Sequence, residues 1–319
     1  MSESAARPLV SYVFPIYNEA GNLDLLYSTL RGLLDEHPEY AYEIVFVNDG
    51  SKDESLEILF RIEDADDRVV VVDLSRNFGH QMAVTAGLDV AKGDAVIIMD
   101  SDMQDPPAVS FELLAKWREG YDVVYAQRRS RKDSAFKKLT ANVYYRFLHL
   151  VTDIDIPRDT GDFRLVDRQV VDQIVRMREH SRFLRGMVSY VGFRQVAVQF
   201  DRDERHAGET GYPLRKMLKF AADGIMSFST VPLRLITRIG YLFAAASFAL
   251  MVWVFVARLV QPATVVEGWT FIVILLLLTS GVQMILLGVV GSYVGRTYIE
   301  TQHRPLYLVQ EKSRRAVRP

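Results

Sequence analysis

From Leu9 to Gln127 the chain alternates short apolar runs with longer stretches in which apolar residues recur every three or four positions. The runs with the composition of buried strands are Leu9–Phe14, Tyr42–Val47, Val69–Leu74, Ala95–Met99 and Asp122–Ala126. The helical stretches between them are Ala20–Asp35, Asp53–Ile62, His80–Val90 and Val109–Arg118. This alternation predicts an α/β fold with a mostly parallel sheet, covered by helices on both faces.

Two later stretches combine basic residues with aromatic and aliphatic ones at helical spacing. They are 133–155, with Lys137, Lys138, Tyr144, Tyr145 and Phe147, and 213–232, with Arg215, Lys216, Lys219, Phe220 and Phe228. Basic amphipathic helices of this kind lie in the headgroup layer of a membrane, although in a soluble protein the same pattern is a solvated charged face. Between the two stretches the pattern predicts a helix near Arg168–Arg178 and a strand near Phe193–Phe200.

The last third of the chain contains two long apolar stretches. The first, 239–260, carries one charge near its end, and the second, 270–294, carries none. Both are long enough to cross a bilayer. The linker between them has no lysine or arginine, whereas basic residues flank the pair: Arg234, Arg238, Arg296, Arg304, Lys312, Arg314, Arg315 and Arg318. The positive-inside rule therefore predicts a multi-pass hairpin in a bacterial-type inner (plasma) membrane, with both termini cytoplasmic.

The predicted organisation is a cytoplasmic domain over 1–212, an amphipathic juxtamembrane helix over 213–232, the hairpin over 233–296 and a basic tail over 297–319. No signal peptide is visible, because the first apolar run is too short for one. Glycines at 281, 288, 291 and 295 suit close helix packing, within the hairpin or in a homo-oligomer.

Composition narrows the chemistry. The chain has 319 residues and no cysteine, which excludes disulfides, thiolate metal sites and a cysteine nucleophile. The formal net charge of −2 gives no support for nucleic-acid binding.

Polar loops follow the first four predicted strands, and in parallel sheets ligands bind at the carboxyl ends of the strands. These loops are Pro15–Glu19, Asn48–Asp53, Ser75–His80 and Asp100–Asp105. Four polar loops at one edge predict a binding site there. Among their residues, Asp53 is expected to cap the next helix, and His80 to cap or pack a helix start.

The acidic loop, Asp100–Asp105, is a candidate metal site. If the backbone stays extended past Met99, then Asp100, Asp102 and Gln104 share one face and form a hard-oxygen site for Mg²⁺ or Mn²⁺. The alternative is a solvated acidic turn that closes a strand. Asp49 stands at another strand tip, where its carboxylate either accepts from a base N–H or serves the turn. The charged, glycine-bearing loop Asp201–Gly211 is a candidate active-site flap.

Several motifs in order resemble the GT-A, family 2 polyprenyl-phosphate glycosyltransferases, which include bactoprenol glucosyltransferases and dolichyl-phosphate mannosyltransferase-like enzymes. They are FPIYNEAGN, VNDGSKD, SRNFGHQMA, MDSDMQDPP, GDFRLVDR, RHAGETGY and GSYVGRTYIETQHRPLY. The resemblance covers nearly the whole chain and implies a GT-A, Rossmann-like catalytic domain. It also implies inverting transfer of a sugar from a nucleotide donor to a polyprenyl phosphate at the cytoplasmic leaflet.

The resemblance also implies roles for individual residues. Metal binding falls to Asp102 with Gln104, and catalysis to Asp162, Asp102 and Arg205. The sugar-nucleotide site comprises Pro15, Tyr17, Glu19, Asp49, Asp100 and Ser101, and the lipid phosphate is bound by Arg128, Arg131 and Arg205. Asp162 is either a catalytic base, a positioning residue or a turn residue before a strand. A phosphate nucleophile has less need of a base than a sugar hydroxyl has.

The sequence is compatible with four hypotheses about function. The first is glucose transfer from UDP-glucose to undecaprenyl phosphate, and the second is mannose transfer from GDP-mannose. The third, a polysaccharide-extending enzyme, is disfavoured because the chain has neither a Gln-x-x-Arg-Trp motif nor further spans. The fourth is a non-catalytic membrane adaptor that binds nucleotide sugars, and the intact acidic loop argues against it.

Overall fold

The structure is a computed structural model and describes residues 7–129, 160–201, 231–260 and 268–310. The described residues fall into two compact units. The first holds a seven-stranded sheet with its helices, together with Arg304–Gln310. The second holds the two long C-terminal helices as far as His303.

The sheet is mixed and mostly parallel. Its strands are β1 (Leu9–Ile16), β2 (Ala41–Asn48), β3 (Val69–Asp73), β4 (Ala95–Ile98), β5 (Val123–Arg128), β6 (Thr160–Asp167) and β7 (Gln195–Phe200), in the order β3-β2-β1-β4-β6-β5-β7. Only β6 runs against its neighbours β4 and β5, and the other strand pairs in the sheet are parallel. The predicted α/β fold with a mostly parallel sheet is confirmed.

Strand β6 was missed by the sequence analysis. Its sequence, TGDFRLVD, places the buried Phe163 and Leu165 next to the charged Asp162 and Arg164, and it is inserted between β4 and β5. Charged residues in a central strand contradict the rule that such strands are continuously apolar. The charges are tolerated because they pair with one another at the candidate site described below.

Six helices accompany the sheet: α1 (Ala20–Asp35), α2 (Ser55–Ala65), α3 (His80–Val90), α4 (Val109–Arg118), α5 (Arg168–Arg176) and α6 (Leu184–Tyr190). Helix α1 buries Leu23, Leu26, Leu30 and Leu34, the apolar stripe expected of an amphipathic helix. Helix α3 lies against the sheet at Gly87, where an added Cβ would stand 2.3 Å from Val13 Cγ1. This close packing holds the first residue of α3, His80, at the carboxyl edge of the strands.

The second unit consists of α7 (Val231–Val260) and α8 (Trp269–Thr301). Among the described residues one segment, Leu278–Thr301 in α8, is long and apolar enough to cross a membrane, and a shorter apolar stretch, Leu235–Ala249, lies in α7. Both predicted spans fall within helices, and the two-span hairpin stays a prediction. The predicted interface helix over 133–155 lies outside the described residues, as does 213–232 except for its last two positions, which begin α7.

The predicted basic tail, 297–319, divides in the structure. Its first residues complete α8, which ends at Thr301, and Arg304–Gln310 belong to the first unit. There the chain forms an isolated antiparallel bridge between Leu74 and Val309, directly after β3.

Candidate active site

The loops after β1 and β2 are joined by hydrogen bonds at the carboxyl edge of the sheet. The Asn18 backbone N–H donates to Ser51 Oγ over 3.0 Å, and the Lys52 N–H donates to Asn18 Oδ1 over 2.8 Å. Asp53 accepts from the first N–H groups of two helices, those of Ser55 in α2 and Ala20 in α1, each over 3.1 Å, although the N-cap residue of α2 is Glu54. These bonds leave the Tyr17 side chain exposed at the edge.

Asp49 holds the next loop in place. It is buried, and its two carboxylate oxygens accept from the N–H groups of Phe78, over 2.7 Å, and Gly79, over 2.9 Å. Burial raises the pKa of Asp49 more than these bonds lower it. Gly50 follows at φ 66°, where an added Cβ would stand 2.5 Å from the Arg76 carbonyl carbon. The structure thus gives Asp49 a loop-bracing role, and contact with a base stays a prediction.

The acidic loop does not continue the strand, so the expectation of an extended backbone past Met99 was wrong. Strand β4 ends at Ile98, and Met103 adopts φ 56°. The turn is closed by Asp102 Oδ1, which accepts from the Gln104 N–H over 3.1 Å. Gln104 is consequently buried, whereas Asp100 and Asp102 are half-buried. Ser101 is buried against β1, with its Oγ 3.5 Å from the Pro15 carbonyl oxygen.

Asp100 lies in an excess of negative charge. Burial raises its pKa to about 6, with further increases from the neighbouring charges of Asp162, Asp102 and Asp105, while His80 lowers it. A bound cation stabilises the charged form of such a carboxylate, because it offsets both the cost of burial and the repulsion from the neighbouring carboxylates. The acidic loop therefore has the charge that a hard cation requires.

Asp162, on β6, has the opposite surroundings. His80 Nε2 lies 3.0 Å from its Oδ2, Arg185 Nε donates to its Oδ1 over 2.8 Å, and Arg164 Nη2 lies 3.9 Å from Oδ1. Although burial opposes the shift, these three cations hold the pKa of Asp162 far below its usual range. Burial also lowers the pKa of Arg164 to about 10, and Asp162 counteracts this. At neutral pH Asp162 is a stable anion and a weak proton acceptor.

His80 joins the two carboxylates. Its Nε2 lies 3.0 Å from Asp162 Oδ2 and 3.8 Å from Asp100 Oδ1. Burial lowers the pKa of His80, but the hydrogen bond to Asp162 and the charges of both carboxylates outweigh it, so the pKa is raised. The prediction that His80 is only a cap or packing residue does not account for this position. The available signal was its place in the polar loop after the third strand.

Three predicted site residues have no described side chain. Arg131 and Arg205 lie outside the described residues, and for Arg128 the structure describes the backbone at the end of β5 but not the side chain. Arg164 and Arg185 surround Asp162 but were not predicted as site residues. Their signal was the charged alternation in β6 for Arg164, whereas Arg185 is 23 residues from Asp162 in the sequence, and no local pattern pairs them.

The acidic loop offers oxygen atoms suited to a metal ion, although its ligands do not form a cluster by themselves. Across the described ranges, no group of three His, Cys, Asp or Glu side chains is arranged to hold a metal ion. The acidic loop instead offers carboxylates and the amide of Gln104, which are oxygen ligands of the kind that Mg²⁺ and Mn²⁺ use when substrate phosphates complete the coordination. The residues present therefore fit a divalent cation that is bound together with a phosphate-bearing ligand.

Known proteins with similar sequences extend this description. The family described as glycosyl transferase family 2 matches residues 11–175. The uncharacterized glycosyltransferase YkcC of Bacillus subtilis (strain 168) is 50% identical over 302 residues, covering 94% of this chain and 93% of that protein. The prophage bactoprenol glucosyl transferase homolog of Escherichia coli (strain K12) is 40% identical over 302 residues, covering 94% and 98%.

Solved structures are more distant. The mannosyl-3-phosphoglycerate synthase of Rubrobacter xylanophilus is 17% identical, with a TM-score of 0.47, covering 73% of this chain and 75% of that one. A similarity as low as this between two structures gives no information about function.

Proposed function

The chain belongs to glycosyl transferase family 2, and from that premise we propose that it transfers a sugar from a nucleotide donor to a polyprenyl phosphate. The observation that carries the proposal is the acidic loop at the carboxyl edge of the sheet, where burial, together with the neighbouring carboxylates, raises the pKa of Asp100 to about 6. Such a loop suits a cation bound to a nucleoside diphosphate. The lipid acceptor is inferred from the relative named as a bactoprenol glucosyl transferase homolog, which matches over 94% of this chain.

The proposed sugar-nucleotide site uses the loops after β1, β2 and β4. The residues assigned to it are Pro15, Tyr17, Glu19, Asp49, Asp100 and Ser101. Tyr17 is exposed at the edge and available to stack on a base, while the buried Ser101 and Pro15 fix the floor between β1 and β4. UDP-glucose is the proposed donor, because the relative's name specifies glucosyl transfer, and GDP-mannose is the alternative.

Asp102 and Gln104 are the residues that would hold Mg²⁺ or Mn²⁺. When bound there, the ion supplies positive charge against the charge that develops on the departing diphosphate. The closed turn between Asp102 and the Gln104 N–H holds the Asp102 carboxylate in one orientation.

For the lipid, we assign the nucleophile to the phosphate itself. A phosphate oxygen attacks the anomeric carbon as the bond from that carbon to the diphosphate oxygen breaks, and the configuration inverts. Because this nucleophile is already anionic, no residue needs to remove a proton. Arg128, Arg131 and Arg205 are proposed to bring the lipid phosphate close to the diphosphate despite their repulsion.

Under this proposal Asp162 is a positioning residue and not a base. Its carboxylate orients Arg185 and His80 and neutralises Arg164, which is only 5% exposed. His80 Nε2 in turn lies 3.8 Å from Asp100 Oδ1, and in its protonated form it places a positive charge beside that carboxylate. This arrangement is in place before substrate binds, so little reorganisation is required during the reaction.

The proposed location is the cytoplasmic leaflet of the inner membrane. The apolar segment Leu278–Thr301 supports membrane association. The second span, the cytoplasmic orientation of both termini and the two amphipathic interface helices are part of the proposal. We also propose a homo-oligomer, because the glycines of α8 would allow helices of two protomers to pack closely.

The direct test is a transfer assay with the full chain in detergent, Mg²⁺, undecaprenyl phosphate and a panel of labelled nucleotide sugars. We expect labelled undecaprenyl-phosphate-linked hexose from UDP-glucose. Product from GDP-mannose alone would replace the proposed donor and keep the reaction class. Tight nucleotide binding without product from any donor would overturn the proposal and favour a nucleotide-sugar-binding adaptor.

A further inference from the structure

The segment Arg304–Gln310, here called the return segment, packs against the sheet after the long C-terminal helices. Only Gln302 and His303 separate it from the end of α8. From the sequence, this stretch is predicted to be part of a basic tail. In the structure it contacts the end of β3, an outer strand of the sheet, and helix α3.

Backbone hydrogen bonds attach the return segment on both sides of the Leu74–Val309 bridge. The Ser75 N–H donates to the Leu308 carbonyl oxygen over 2.8 Å, and the Gln310 N–H donates to the Asp73 carbonyl oxygen over 2.8 Å. The return segment therefore pairs with the outer strand at the point where the strand ends and its polar loop begins.

Side chains hold the same segment against α3 and the chain after α5. Tyr307 donates its O–H to Asp89 Oδ2 over 2.6 Å, and Arg178 donates to both oxygens of Asp89 over 2.7 and 3.0 Å. His180 Nε2 donates to the Arg304 carbonyl oxygen over 3.0 Å. Because Asp89 lies near the end of α3, the return segment contacts the helix whose first residue is His80.

The loop that starts at Ser75 leads directly to the candidate active site. Its last two N–H groups, of Phe78 and Gly79, hold the carboxylate of Asp49. The same loop passes so close to Gly50 that a Cβ there would stand 2.5 Å from the Asn77 nitrogen. The loop is tied to Asp49 by these two N–H groups and packs against Gly50, so we expect a shift at Ser75 to reach Asp49 and the adjoining His80.

We propose that the return segment is a positioning element of the sugar-nucleotide site, acting through the Ser75–Gly79 loop on Asp49. The inference rests on the proposed function, because it presumes that Asp49 belongs to the site of the nucleotide. It assigns a role in binding to Tyr307 and to the backbone N–H of Gln310, neither of which touches the substrate.

The first test removes one backbone hydrogen bond. Gln310→Pro deletes the N–H that donates to Asp73, while Gln310→Ala changes the same side chain and keeps the N–H. For the proline variant we expect the Kd for UDP with Mg²⁺, measured calorimetrically on the full chain, to rise about five- to tenfold, as for one lost hydrogen bond. Hydrogen exchange at Ser75, Phe78 and Gly79 should accelerate. The alanine variant should match the parent.

The second test removes a side-chain hydrogen bond. Tyr307→Phe loses the O–H that Asp89 accepts, and Tyr298→Phe is the matched control, an exposed tyrosine of α8. We expect Tyr307→Phe to raise the KM for UDP-glucose about threefold or more, with kcat at saturating donor unchanged within about twofold. The control should leave both constants unchanged.

Three results would overturn the inference. The first is unchanged exchange in the Ser75–Gly79 loop of Gln310→Pro, and the second is faster exchange there with an unaltered Kd for UDP. The third is faster exchange across the whole sheet, which would mean a general loss of stability. Because nucleotide binding and exchange need no lipid acceptor, a chain that transfers no sugar but shows the expected shifts would refute the proposed function and leave this inference standing.

Discussion

Asp100 and Asp162 lie at the same edge of the sheet, on either side of His80, yet their surroundings have opposite charge. Around Asp100 the neighbouring carboxylates of Asp102, Asp105 and Asp162 add to the effect of burial, and its pKa is raised to about 6. Around Asp162, His80, Arg185 and Arg164 overcome burial, and its pKa falls far below the usual range. Asp100 has one basic neighbour, His80, among three carboxylates, whereas Asp162 has three basic neighbours.

Asp100 and Asp162 therefore differ in their need for a ligand. The acidic loop becomes electrostatically satisfied only when a cation arrives, whereas Asp162 is satisfied by the protein alone. Two carboxylates whose surroundings push their pKa values apart perform different tasks. Here we assign Asp100 and Asp102 to the cation and its nucleotide, and Asp162 to the arrangement of the side chains around it.

The largest effect on turnover is expected at the acidic loop. Asp102→Asn removes a charged ligand of the proposed cation, so turnover should fall by about 100-fold or more. The melting temperature should stay near that of the parent, because Asn keeps the acceptor for the Gln104 N–H. Asp64→Asn, an exposed position in α2, is the control. Retained turnover in Asp102→Asn would contradict the metal assignment.

Asp162→Asn should give the largest loss of stability. The substitution leaves Arg164, 5% exposed, beside a neutral amide. Removing one partner of a buried ion pair costs about 3–5 kcal/mol, so the melting temperature should fall clearly below that of Asp102→Asn. Thermal unfolding of both variants checks this. A catalytic base would instead show lost turnover at an unchanged melting temperature.

His80→Gln tests the link between the two carboxylates. Glutamine retains a hydrogen-bond donor toward Asp162 but has no charge, so kcat should fall about tenfold. Since His80 lowers the pKa of Asp100, its removal should move the acid limb of the kcat profile to higher pH. His37→Gln is the control, because His37 pairs with Glu39 and belongs to none of the loops that form the site. An unshifted acid limb would mean that Asp100 does not sense His80.

The smallest expected effect is a gain of stability. In metal-free protein at pH 8, Asp100→Asn should raise the melting temperature by about 2 °C. The folded-state pKa of Asp100, about 6, lies above its ordinary value, so the stability it contributes is complete below about pH 4 and lost as the pH rises through 6. The gain should therefore vanish at pH 4. Thermal unfolding of the variant and the parent in EDTA at pH 4 and pH 8 checks this. A melting temperature of the variant below that of the parent at pH 8 would contradict it.

Local patterns predicted much of the fold. The strands β1 to β5 and the helices between them follow from apolar runs and helical spacing, and the polar loops at their ends mark the edge where the site lies. Strand β6 was missed because its charged residues Asp162 and Arg164 are compensated by residues distant in sequence. The pairing of Arg185 with Asp162, like the contact of Tyr307 with Asp89, has no local signal for the same reason.

Sugar transfer to undecaprenyl phosphate by the full chain, measured before and after removal of divalent cations, tests directly whether the acidic loop binds a cation. We expect transfer from UDP-glucose with Mg²⁺, loss of transfer in EDTA, and recovery when Mg²⁺ is added back. Transfer at the same rate in EDTA would contradict the division between a cation-binding Asp100–Gln104 loop and a self-neutralised Asp162.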